Sequence, residues 1–179
     1  KEIYMLIYHA MDYATAICPA IRWYISKKFG MKAVMSRKKQ IWLLNLLIIG
    51  LLCFIWGNSM MTAKESGSMS KGILAWLGEF IPFFAGGAHH KFLRKLAHFS
   101  EFFLLGLFCG AQRVKSEKLL SLGVVCFGLI SACIDETIQI FVLGRSSSLL
   151  DVWLDLSGFA SGMAVIAVGY AIMKKRKEK

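Results

Sequence analysis

Long apolar runs separated by short basic stretches dominate the chain. The first run, Ile41–Gly57 (IWLLNLLIIGLLCFIWG), is short but continuous. A second covers about Leu96–Ala111, with His98 and Glu101 near its start. A third covers about Leu119–Val142 and carries Asp135, Glu136 and Gln139 toward its end. A fourth covers about Asp151–Met173, with Asp151 and Asp155 at its start. A bilayer span needs about 17–25 residues. The second run reaches that length only if its basic start, from about Phe92, lies at the interface. The pattern predicts an all-α, polytopic transmembrane bundle with four core spans.

Between the first two runs, Ser66–Ser70 is small and polar and reads as a loop. Ile73–Phe84 (ILAWLGEFIPFF) is too short to span and rich in Trp and Phe. It predicts an interfacial helix ending near Pro82, with a re-entrant segment or a lid over the bundle as alternatives. Residues 1–34 read as an N-terminal extension, an extra span or a further interfacial helix. Residues 35–179 then form the membrane domain, introduced by the basic stretch Met35-Ser-Arg-Lys-Lys-Gln.

Composition agrees with this picture. Hydrophobic residues make up 56% of the 179, and mean hydropathy is +0.56. Lys and Arg number 22 against 11 Asp and Glu, for a net charge of +11. This excludes a soluble enzyme, a disordered tail and a secreted disulfide scaffold. A basic chain often binds nucleic acid, but here the positive charge lies between apolar runs, which favours a membrane and no nucleic acid. Arg37, Lys38 and Lys39 precede the first run. Arg113, Lys115 and Lys118 follow the second, and Lys174, Lys175, Arg176 and Lys177 follow the fourth. Four spans put all these clusters on one side, so the positive-inside rule places them, and the C-terminus, in the cytoplasm. The five cysteines, Cys18, Cys53, Cys109, Cys126 and Cys133, lack CxxC spacing and read as small buried thiols.

The candidate chemistry lies in the polar positions inside the runs, because a charge at the bilayer centre costs about 2.5–3.5 kcal/mol on insertion scales. Arg94, Lys95, His98 and Glu101 share one helix face by their three- and four-residue spacings. Asp135, Glu136 and Gln139 share another, and Asp151 and Asp155 are four apart. The topology puts all these groups at the extracytoplasmic ends of their helices, with Arg145 in the turn between the third and fourth. They should therefore form one polar cluster. It reads either as an ion-pair network tying the helices together or as a pocket for a polar head group.

Three motifs in this region resemble the signature of the VanZ-like membrane proteins. They are Lys95-Leu-Ala-His98-Phe-Ser-Glu101-Phe with Leu105-Gly106, Asp135-Glu136-Thr-Ile-Gln139-Ile-Phe141 continuing to Gly144-Arg145, and Asp151-Val-Trp-Leu-Asp155 with Gly158. They occur in order over about Phe92–Gly162 and are specific as a set. Leu143 stands where a proline often precedes the Gly-Arg pair. The family is named for a protein giving low-level resistance to teicoplanin, a lipid-bearing glycopeptide. The resemblance implies a small polytopic bacterial membrane protein with an envelope role and defines no reaction.

Two functional readings follow. In the first, Arg94, Lys95 and Arg145 contact the phosphate or carboxylate of a membrane lipid, a lipid-linked envelope precursor or a lipoglycopeptide. His98, Glu101, Asp135, Glu136, Gln139, Asp151 and Asp155 then shape the pocket. In the second, the protein is an intramembrane hydrolase or transferase, with His98 or Glu136 as general acid or base and Asp135 orienting it. No cofactor is expected. His98, Glu101, Asp135 and Glu136 offer an N/O ligand set, but one histidine among carboxylates is a weak metal pattern, and Lys95 and Arg145 would compete as counter-cations. No metal is therefore expected either. Ser148-Leu-Leu-Asp151 resembles a capping box for the fourth helix. Gly158 and Gly162 permit close helix packing within the chain. Asn45 is placed to hydrogen-bond a neighbouring helix.

Overall fold

The computed structural model describes residues 37–78, 90–115 and 121–177. The expected N-terminal extension, residues 1–34, lies outside them. All described elements are helices: α1 Arg37–Ser59, α2 Ala63–Gly78, α3 His90–Lys115, α4 Leu122–Ile140 and α5 Leu149–Lys177. Each of the four apolar runs became one helix, and each helix extends to or past the polar residues at its ends, apart from α4, which stops within its run.

Among the described residues, three helices are long and apolar enough to cross a membrane: α1, α4 and α5. The 26-residue α3 has the length but carries Arg94, Lys95, His98 and Glu101 on its first half, which lowers its apolarity. The exposed apolar side chains agree with a lipid environment. Trp42, Ile49 and Phe54 on α1, Val125 and Ile130 on α4, and Trp153, Val165 and Val168 on α5 all face outward. A belt of that kind on several helices would carry a large hydration cost in water and none in hydrocarbon.

The directions of the helices follow from contacts at their ends. Arg37 Nε at the start of α1 donates to the Lys115 carbonyl at the end of α3 (2.5 Å), and Lys115 Nζ donates to Gln40 Oε1 (2.8 Å). Asn58 at the end of α1 meets Glu101 in the first half of α3. These two helices are therefore antiparallel. α3 and α5 run side by side in the same direction, because Gly158 faces Phe99 and Gly162 faces Phe103. This is the intrachain use expected for the Gly158–Gly162 pair. Toward the same end as the Arg37–Lys115 contact, Gln112 Nε2 donates to Asn45 Oδ1 (3.3 Å), the neighbour expected for Asn45.

The core is apolar at the centre. Ile55, Phe102, Leu105, Val124, Ala132, Phe159 and Met163 form it, from all four long helices. On α4 one stripe is buried: Val124, Gly128, Ser131, Ala132, Asp135, Glu136 and Gln139. Its spacing is helical, and its character changes from apolar to polar toward the C-terminal end. Of the described cysteines only Cys109 is buried; Cys53, Cys126 and Cys133 are exposed on the bundle surface, contrary to the expectation of buried thiols.

The expected loop at Ser66–Ser70 is helix, part of α2. The signal that starts it is Thr62-Ala-Lys-Glu65. The Thr62 amide and hydroxyl donate to Glu65 Oε2 (2.9 and 2.8 Å), and the Glu65 amide donates to Thr62 Oγ1 (3.3 Å). This reciprocal box satisfies the first free amides. The Thr62 side-chain and backbone bonds hold the Glu65 carboxyl below the usual carboxylate range. The Ser68 and Ser70 hydroxyls turn back onto carbonyls of their own helix, Glu65 and Ser66, so the serines do not break it. Ile73 to Gly78 continue α2, while the rest of the expected interfacial segment, including Pro82, lies outside the described residues. Thr62→Ala is expected to destabilise the start of α2 by about 1 kcal/mol. Amide hydrogen exchange at Ala63–Ser66 reads this directly, and unchanged protection would refute the capping role.

Candidate functional site

At the end of the bundle where α1 and α4 finish and α3 and α5 begin, the chain collects its buried polar groups. Asp135, Glu136, Gln139 and Asp155 are all buried there. Ser59 is buried beside them, and its hydroxyl donates to Asp135 Oδ1 (2.7 Å). Gln139, one turn beyond Asp135, donates to Asp135 Oδ2 (3.0 Å) and to Glu136 Oε1 (3.1 Å). The other Glu136 oxygen accepts the Ser148 amide (2.9 Å) just ahead of α5. Glu136 thus caps the next helix, a favourable place for a negative charge. Ser148 completes the cap by accepting the Leu150 amide (3.2 Å). The expected Ser148–Asp151 box forms only on the serine side, because Asp151 turns to Lys95 (2.5 Å).

The α4–α5 connection is short because Gly144 adopts φ of +76°, a left-handed conformation that side chains disfavour. That turn aims Arg145 back at α1. Its Nε donates to the Met61 carbonyl (2.8 Å) and one terminal nitrogen donates to the Asn58 carbonyl (2.9 Å). Burial and the nearby charge of Arg94 both pull the guanidinium below its ordinary value, but that value is high enough for it to stay charged. The Ala63 amide also bonds the Leu143 carbonyl (3.3 Å), so the turn is tied to the start of α2.

Among the described residues, four side chains keep a buried polar atom without a hydrogen-bond partner: Glu101 at Oε2, Arg145 at one terminal nitrogen, Asp155 and His98. Asp155 is 1% exposed, and neither of its oxygens has a hydrogen-bond partner. His98 Nδ1 lies 3.5 Å from Asp135 Oδ2 and is likewise without a hydrogen bond. A small crevice reaches this point from outside. It is lined by Arg94, Lys95, His98, Glu136, Gln139, Asp151, Leu154 and Asp155.

The sequence-derived site residues therefore divide into two groups. Arg94, Lys95, His98, Glu136, Gln139, Asp151 and Asp155 line the crevice. Glu101, Asp135 and Arg145 belong to the same cluster but not to that lining: Glu101 Oε1 accepts from Asn58 (2.8 Å), Asp135 is fully buried, and Arg145 is turned to α1. The sequence reasoning missed Asn58 and Ser59. Their signal is two polar residues closing an apolar run at the predicted depth of the cluster.

This constellation on four helices comes with a family assignment. The sequence model of the VanZ/LLP1 family matches residues 44–172, well over half of the chain. The chain belongs to the VanZ/LLP1 family. It is a VanZ-like membrane protein, as its three apolar helices and its family together indicate. No curated protein and no solved structure matches it.

Proposed function

We propose that the crevice binds the anionic head group of a membrane lipid or lipid-linked envelope molecule, and that a lipoglycopeptide of teicoplanin type is a further ligand of the same chemistry. The observation that carries this reading is Arg94. It lines the crevice beside Lys95 and has no ion-pair partner within 4.0 Å among the described residues. A half-buried guanidinium at the mouth of a membrane-facing crevice suits a phosphate or carboxylate, which it can hold by two parallel bonds. Lys95 pairs with Asp151 and is half exposed, so it can swing to an entering anion.

In this reading α3 is the fourth span, beside α5 and parallel to it. Arg37, Lys115 and Lys174 mark the basic end, which the positive-inside rule puts on the cytoplasmic side together with the C-terminus. The crevice then opens at the outer face of the bacterial cytoplasmic membrane, where envelope head groups are found.

Purified protein in nanodiscs containing phosphatidylglycerol and phosphatidylcholine tests the binding. Native mass spectrometry is expected to find phosphatidylglycerol retained preferentially. Arg94→Ala with Lys95→Ala should weaken that retention by about tenfold or more, since each charge-assisted bond contributes about 1.5–3 kcal/mol. Equal retention of both lipids, or full retention by the double variant, would refute the reading. Release of a free head group during the incubation would favour the enzyme instead.

A further inference from the structure

We propose that His98, Asp135 and Asp155 bind one divalent transition-metal cation of the zinc or manganese class. The site goes beyond head-group binding and does not rest on it, because all its ligands come from the chain. One ligand atom from each of the three residues can be chosen so that all lie within 4.8 Å of one another. Ligands of one such ion, at about 2.0–2.2 Å from it, lie about 3.3–3.6 Å apart in a tetrahedral shell. A contraction of the side chains therefore closes the site.

The unpartnered groups point the same way. Asp155 is 1% exposed with both oxygens unsatisfied, and His98 Nδ1 has no hydrogen bond. A buried carboxyl in that state is costly unless something neutralises it or bonds it. A proton, water or a cation can relieve it, and the crevice bordered by His98 and Asp155 gives a cation the path. One imidazole with two carboxylates suits zinc or manganese better than calcium or magnesium, whose sites are built of oxygen ligands. Asp135 is already oriented from behind, by Ser59 on one oxygen and Gln139 on the other. Metal ligands are commonly fixed in this way.

The sequence argued against a metal because Lys95 and Arg145 would compete for the acids. In the structure neither cation bonds His98, Asp135 or Asp155 directly. Lys95 is engaged by Asp151, and Arg145 by two backbone carbonyls of the α1–α2 connection and the end of α1. Asp155 also lies close enough to Asp135, Glu136, Asp151 and Glu101 to feel all four charges. Against these five acids stand Arg94, Lys95 and Arg145, so with all five ionised two carboxylates have no counter-charge. A single divalent ion supplies it.

The experiment is equilibrium dialysis of purified, chelator-treated protein against Zn²⁺ and, separately, Mn²⁺, with metal counted by mass spectrometry and Mn²⁺ read by electron paramagnetic resonance. The melting temperature is followed in the same samples. The expected result is one tightly held ion per chain and a melting temperature that rises with free metal. Asp155→Asn is expected to weaken binding at least 100-fold and to abolish the metal-dependent rise. This variant removes an uncompensated buried acid, so it should fold at least as well as wild type without metal. His98→Gln gives the second reading, with the same loss expected. Glu65→Gln, remote from the site, should bind as wild type does. No stoichiometric ion in wild type, or unweakened binding in Asp155→Asn and His98→Gln, would overturn the site. Loss of binding on replacing His89 and His90 with alanine, while Asp155→Asn still binds, would overturn it too.

Discussion

Gly162→Val is expected to disrupt the bundle, with folded protein largely lost from the membrane fraction and any remainder melting far below wild type. A Cβ at Gly162 meets the backbone of α3, namely the Phe103 carbonyl oxygen, the Leu107 nitrogen (2.8 Å) and the Gly106 carbonyl carbon (3.1 Å). Gly106 has the reciprocal constraint, since a Cβ there meets the Phe159 carbonyl of α5. A contact with a side chain can be relieved by rotation, but contacts with backbone force the helices apart. Separation loosens Phe102, Leu105, Phe159 and Met163, the middle of the core. Overpacking a core costs about 1–3 kcal/mol, and a backbone clash belongs at or above the top of that range. Gly169→Val is the control. Nothing lies within 4 Å of a Cβ there, so its effect should stay within about 0.5 kcal/mol. Thermal unfolding in detergent compares the two. Gly162→Val melting alongside Gly169→Val would sink the account of α3–α5 packing.

The same helix pair explains what was legible in the sequence. Gly158 and Gly162 are four apart, and local spacing suffices to place them on one face. Asp135, Glu136 and Gln139 were readable for the same reason, as was the short turn that brings Asp151 near them in depth. Residue partners across the bundle were not readable. Asn58 meets Glu101 and Ser59 meets Asp135 across 43 and 76 residues, and no local period encodes such pairs. Arg145 was expected in the pocket because it is a cation beside acids. Its actual direction depends on a left-handed Gly144 and on where α1 ends, which only the folded chain fixes. The Ser66–Ser70 stretch was misread from composition, although Thr62 and Glu65 held the stronger signal. The expectation of no metal rested on a similar shortcut. Counting cations near acids says nothing about which acid each cation already holds.

Arg145→Ala is expected to cost about 3–5 kcal/mol, the range seen when one member of a buried charge group is removed. Two effects combine. The Met61 carbonyl loses its Arg145 donor and the Asn58 carbonyl keeps only the Met61 amide, and each part-buried group left unsatisfied costs about 1–3 kcal/mol. The acids Asp135, Glu136 and Glu101 also lose the cation whose charge they share. Arg145→Lys separates the two effects. It keeps the charge, but an ammonium lacks the fixed fork that spans two carbonyls, so an intermediate loss is expected. Asp135→Asn in the Arg145→Ala background removes one of the stranded acids and should recover part of the stability. A double-mutant cycle on melting temperature reads the coupling. If Arg145→Ala melted with wild type, the bonds to α1 would carry no weight in holding the polar end together. If Arg145→Lys were as damaging as Arg145→Ala, the bonds would dominate and the charge would contribute little.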